Sequence, residues 1–330
     1  MSSQKFWFAC SLAAALWSLP VRADVTLLNV SYDVTREFYK DVNTQFVRAY
    51  KEKTGESVVI SQSHGGSSKQ ARSVIDGLQA DVVTMNQAND IDMLHDLAGL
   101  VPADWAKRFP NHSAPTTSTT VFLVRKGNPR AVRDWNDLVK PGVQVIVPNP
   151  KTSGNGRYSY LAAYGYALKK GKSPAQARAF VTQLFKNVPV LDTGGRGATT
   201  TFAQRNIGDV LLTFENEVYL IKAELGDHFD VVYPSISVLA ENPVAIVDKV
   251  VDQKGTRALA QAYLEFLYSP AGQELAAKHH LRPRSAQLLA PFPKLQLFTV
   301  ESVFGSWKKA QKEHFDDGAL FDQISVELKR

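Results

Sequence analysis

Four times along this chain a run of β-branched or apolar residues breaks into a loop of small residues and then into a helical pattern. The segments are "LLNVSYDVTREFY" (27–39), "SVVISQSHGGSSKQARSVIDGL" (57–78), "VQVIVPNPKTSGNGRYSYLAAYGYAL" (143–168) and "VLDTGGRGATTTFAQR" (190–205). Strand, loop and helix in repeated succession constrain the chain to an α/β fold with largely parallel sheets. Further short runs at 80–85, 209–214 and 244–251 read as strands, and Phe38, Val42, Phe46 and Tyr50 stripe residues 35–54 as a long helix. At 330 residues the chain is about twice the ~150-residue domain prior, so two domains are expected. The segments 111–129 and 234–249 are the places where the chain passes between them.

The loops carry the chemistry. In open α/β folds ligands bind outside the carboxyl ends of strands. Helix starts there offer free N–H groups and a partial positive charge. Glycine lets the backbone approach closely, and serine and threonine add hydroxyl donors. Any one such loop is also an ordinary helix cap. Three of them, each over-supplied with glycine and hydroxyls, suit a small oxyanion held in one cleft.

Other chemistries lack their signatures. There is no G-x-x-x-x-G-K-[ST], no G-x-S-x-G and no H-E-x-x-H, and the seven histidines are dispersed. Tyr158, Tyr160, Tyr164 and Tyr166 suggest a ferric site, but Tyr160 and Tyr164 share a helix face and read as core. Asp33, Glu215 and Glu217 are available acids without a matching nucleophile. The net charge is +6, yet Lys and Arg are scattered and no basic run is interleaved with aromatics, which argues against nucleic acid. No metal and no cofactor are expected. Residues 1–23 differ from the rest: Lys5, then the apolar run "FWFACSLAAALWSLP", then "VRA", a secretory signal cut after Ala23 that removes the only cysteine, Cys10.

At its loops the sequence resembles the periplasmic sulfate- and thiosulfate-binding proteins of bacterial ABC transporters, over essentially the whole chain after the signal. "QSHGGSSKQA", "FLVRKGNP", "DWNDLVKPGV", "PNPKTSGN" and "DTGGRGATTTF" carry the resemblance, and "TMNQ", "LHDLAGLVPADW" and "FENEV" look more like the thiosulfate branch. The resemblance implies a type II, two-lobe "Venus flytrap" periplasmic-binding-protein fold with mixed sheets and two crossover strands. Lobe I is then 24–118 plus 242–330, and lobe II 119–241. It implies a monomeric periplasmic receptor, not an enzyme, that hands sulfate or thiosulfate to an inner-membrane ABC permease complex. The implied ligand donors are the Asp33 backbone, Ser67 backbone and hydroxyl, the Ser153 hydroxyl, and the backbone of Gly154, Asn155 and Gly195. His64, Arg157 and Arg196 would hold the loops from behind. Phe214 stands where the sulfate branch carries tryptophan, and Asn155 where it carries glycine, which bears on selectivity. Receptors for phosphate or molybdate are the nearer alternatives. An exported hydrolase with an oxyanion hole is the more distant one.

Overall fold

The computed structural model describes residues 25–329. The proposed signal lies outside them. Twelve strands form two sheets. In the first half of the chain β1 (Val25–Tyr32), β2 (Val58–Gly65) and β3 (Val82–Thr84) are followed by the long β4 (Thr116–Arg125). Then come β5 (Val145–Pro148), β6 (Leu191–Asp192), β7 (Val210–Phe214), β8 (Phe229–Val232) and β9 (Ile236–Asn242). The series closes with β10 (Val244–Ile246), β11 (Arg282–Pro283) and β12 (Gln296–Phe298).

The smaller sheet has the order β10-β3-β1-β2, parallel except for β10, which runs antiparallel to β3 with Val244 opposite Thr84. The larger has the order β12-β9-β4-β7-β5-β6, with β8 and β11 also on β4. β4 pairs with β9 over Thr116–Thr119 and with β7 over Thr120–Val124, so its two halves have different partners at the centre of the sheet.

Side chains alternate between faces, as the two-residue strand period requires. In the smaller sheet Leu27 and Val82 join one buried cluster and Val30 and Val83 the other. In the larger, Phe122, Val145 and Leu212 face one core and Val121, Ile146 and Leu211 the opposite one. Both sheets are thus covered on both faces, which is why their strands read as nearly continuous apolar runs.

Two departures from the sequence pattern have local causes. The run 244–251 is strand only to Ile246; a helix occupies Asp248–Lys254, closed by Gly255 in the left-handed region (φ 69°). β8 is only partly covered, whereas β9 carries polar residues that are themselves buried, with Ser237 donating to Thr120 O and Asn242 to Thr116 Oγ1. The chain after β12 packs into the larger core, where Phe304, Trp307, Phe315 and Phe321 meet Tyr158, Tyr160 and Tyr164. This settles the tyrosines: they are packing residues, and the Tyr160 hydroxyl lies 3.0 Å from His314 Nδ1.

Candidate functional site

The carboxyl ends of β1, β2, β5 and β6 bring the four small-residue loops to one place. A methyl group built on Gly66 would lie 3.3 Å from the carbonyl oxygen of Thr152. One on Gly195 would lie 3.4 Å from Asn155 Nδ2 and 3.5 Å from Val34 Cγ1, and one on Gly194 3.3 Å from Asp33 Oδ2. All four loops therefore lie within a methyl group's reach of another. They open onto a cavity of about 1010 Å³ lined by Asp33, Gly66, Ser68, Thr152, Gly194 and Arg196 among others.

Three of the loops lead directly into helix starts. Gly66 caps the helix Ser67–Ile75, Ser153 caps Gly154–Lys169, and Gly194 caps Gly195–Thr199. The Ser67 hydroxyl accepts from Asn86 N at 3.3 Å, and its proton is directed at Met85 Sδ, 3.6 Å away. Sulfur is a weak acceptor, so that proton is easily transferred to a better one. The Ser153 hydroxyl accepts from Gly156 N at 3.4 Å and keeps its own proton free. The Asn155 side chain is consumed internally. It donates to Thr213 Oγ1 at 3.2 Å and accepts from Ser159 Oγ at 3.3 Å, which fixes the amide in place. The first N–H groups of a helix have no partner within it. Gly154, Asn155, Gly195 and Ser67 all stand in such first turns.

Two arginines of the loops, Arg157 and Arg196, line the cavity as well as bracing the loops. Arg157 is buried, donates to Pro150 O at 3.0 Å, and lies 3.7 Å from Asp90 Oδ1, so it clamps the 149–153 loop. Arg196 donates to Glu37 Oε2 at 3.1 Å and approaches Glu217 Oε1 at 4.0 Å. His64 contacts Gln62 Oε1 at 2.6 Å and Tyr32 O at 3.3 Å, and burial pushes its pKa down, so it is a neutral scaffold group. Burial pushes the Asp33 carboxyl up, opposed by the Arg196 backbone N–H and guanidinium. Glu217 is wholly buried and burial raises its pKa to about 7; Arg196 opposes this, Asp33 adds to it, and only Thr199 Oγ1, at 3.1 Å, donates to it.

Of the residues singled out from the sequence, Asp33, Ser67, Ser153, Gly154, Asn155 and Gly195 lie on the converging loops. Of these only Asp33 lines the cavity; Ser67, Ser153, Gly154, Asn155 and Gly195 are not among its lining residues, and neither is Phe214. It is buried at the end of β7 and packs edge-on against Tyr158, ring centroids 5.8 Å apart. Sequence reasoning passed over Asn86, Asp90, Glu37 and Thr199. Asn86 follows the carboxyl end of β3, the position at which open sheets place ligand residues, so a signal for it existed. Among the described residues there is no His/Cys/Asp/Glu cluster fit to hold a metal, and no helix long and apolar enough to cross a membrane.

Known proteins match this arrangement. The family model for bacterial extracellular solute-binding proteins matches residues 35–282. A thiosulfate-binding protein of Pseudomonas aeruginosa is 61% identical over 324 residues, covering 96% of this chain and 98% of that one. A sulfate-binding protein of Escherichia coli K12 is 57% identical over 308 residues, covering 92% and 93%. Among solved structures, the sulfate-binding protein SubI of Mycobacterium tuberculosis H37Rv superposes with a TM-score of 0.80 at 31% identity, covering 88% of this chain and all of that one.

Proposed function

The chain belongs to the bacterial extracellular solute-binding protein family, in its sulfate- and thiosulfate-binding group, and from that premise we propose that it is a periplasmic receptor that binds thiosulfate or sulfate and delivers it to an inner-membrane ABC permease. One observation carries the reading: four loops rich in uncharged donors converge at three helix starts. The donors assigned to the anion are the backbone N–H of Asp33, Ser67, Gly154, Asn155 and Gly195 and the hydroxyls of Ser67 and Ser153.

The physics of the anion supports the assignment. Sulfate and thiosulfate carry no proton near neutrality and need donors only. Monohydrogen phosphate keeps one proton, which a donor-only site leaves unpaired at a cost of roughly 1–3 kcal/mol. Burying a dianion without a facing cation is costly, and charge-assisted hydrogen bonds together with helix starts offset that cost. The lobes in this reading are 24–118 with 242–330, and 119–241. Export follows from the signal cut after Ala23.

Titration calorimetry with thiosulfate, sulfate and phosphate tests the proposal. Both sulfur oxyanions should bind, and phosphate should bind at least about tenfold more weakly, the equivalent of ~1.4 kcal/mol. Phosphate binding as tightly as either, or turnover of an ester with no anion binding, overturns it.

A further inference from the structure

We propose that Asn86 is a positioning residue that sets how closely the two halves of the cleft shut on the anion, by seating its amide on Gly154. The inference rests on the receptor reading above. Asn86 follows β3 of the smaller sheet, and Gly154 opens the helix that follows β5 of the larger one. Asn86 is 3% exposed. Its backbone N–H donates to the Ser67 hydroxyl at 3.3 Å. Its side chain crosses to the other half: Cγ and Nδ2 each lie 2.7 Å from where a Cβ on residue 154 would stand, and Oδ1 lies closer still. One residue therefore touches an assigned donor from each half of the site.

Two features distinguish this contact from ordinary packing. First, Asn86 Oδ1 is buried with no N–H or O–H partner. A buried amide oxygen without a donor is costly, and an apolar side chain would fill the space without that cost. The oxygen instead lies along the direction in which Gly154 carries an α-hydrogen, a weak donor. Second, the contact admits only glycine at 154, because any Cβ overlaps the amide. The Gly154 N–H can approach an anion held by Ser67 only as far as the Asn86 amide lets Gly154 come.

Four proteins test the inference: wild type, Gly154→Ala, Asn86→Ala and the double variant, each titrated with thiosulfate and sulfate and each measured by small-angle scattering at saturating anion. Gly154→Ala should bind at least about tenfold more weakly and should fail to reach the compact liganded radius of wild type. The double variant should recover most of the lost affinity and the compact radius relative to Gly154→Ala, since the overlap is gone. Asn86→Gln, which lengthens the amide against an intact Gly154, should weaken binding in the same way and serves if Gly154→Ala folds poorly. Wild-type affinity in both Gly154→Ala and Asn86→Gln, or a double variant no tighter than Gly154→Ala, overturns the inference while leaving the receptor standing. A wild type that binds neither anion overturns the receptor reading itself, and this inference with it.

Discussion

Ser153 does two things at once, and its removal should show both. Its hydroxyl caps the helix Gly154–Lys169, accepting from Gly156 N, and in the proposed site it donates its own proton to the anion. Losing the cap costs about 1 kcal/mol of stability. Losing a hydrogen bond to a charged group costs about 1.5–3 kcal/mol of binding, roughly ten- to a hundredfold. Ser153→Ala should therefore lower the urea midpoint slightly and the affinity severely; a variant weakened only in stability would remove Ser153 from the site. Glu217 supplies the pH dependence. Its carboxyl titrates about 7 when folded against 4.5 for the ordinary group, chiefly through burial. Between those values the folded protein holds a proton that the unfolded chain lacks. The associated stability is complete below about pH 4.5 and is lost as pH rises through 7, a change of order 3 kcal/mol. Above pH 7 its negative charge beside Arg196 should also weaken the dianion's hold. Glu217→Gln keeps the acceptor for Thr199, so it should flatten both profiles; unchanged curves would place the titration elsewhere. The acid was visible in "FENEV", but its enclosure was not, since burial by Thr199 and Asp33 is a property of distant chain segments. The donor loops were legible because their chemistry is local: glycine, hydroxyl and helix start adjoin in sequence.

Among the elements, the helix Gly154–Lys169 is the most enclosed, with nearly every residue through Ala167 buried. A helix buried on all sides shows no stripe, yet the shared face of Tyr160 and Tyr164 already read as core, and the C-terminal helices pack on them. Gly165 faces β12: a Cβ there would stand 2.7 Å from Phe298 Cε2. In an exposed helix Gly→Ala gains up to ~1 kcal/mol, whereas overfilling a packed core costs about 1–3 kcal/mol. The overlap is with a rigid ring, so the second effect should win, and Gly165→Ala should unfold at lower urea than wild type. A stabilised variant would mean that β12 can move away freely. Periodicity marked β1, β2, β5 and β7 and the helices Arg36–Thr54 and Pro174–Lys186. It missed β8, which is only partly buried, β9, whose polar residues interrupt its apolar pattern, and the short helices after β12, each too brief for a full helical repeat.

Across the whole molecule, segments of the larger sheet that are remote in sequence are tied by a buried ion pair. Arg282 on β11 holds Glu215, at the start of the helix Glu215–Leu225, through two hydrogen bonds of 2.5 and 2.9 Å, both side chains buried. Arg282→Ala leaves that carboxylate enclosed and unpaired, which costs about 3–5 kcal/mol. Burial already raises the Glu215 pKa while Arg282 lowers it, so without the arginine the group takes up a proton more readily. The deficit should be smaller at pH 5 than at pH 8 in denaturant titrations; an equal deficit would mean that packing, not charge, is lost. Pairings this distant in sequence are not legible from local pattern. Nor is the closure of the smaller sheet, whose fourth strand, β10, docks on β3 only by Val244 meeting Thr84 from far along the chain. Joining such remote segments is entropically slow. A chain emerging from the ribosome amino end first therefore carries β3 as an open edge until most of its length has been synthesised. The strand order of the smaller sheet is therefore incomplete in any nascent chain that ends before residues 244–246, and a truncation there should expose β3 to proteolysis.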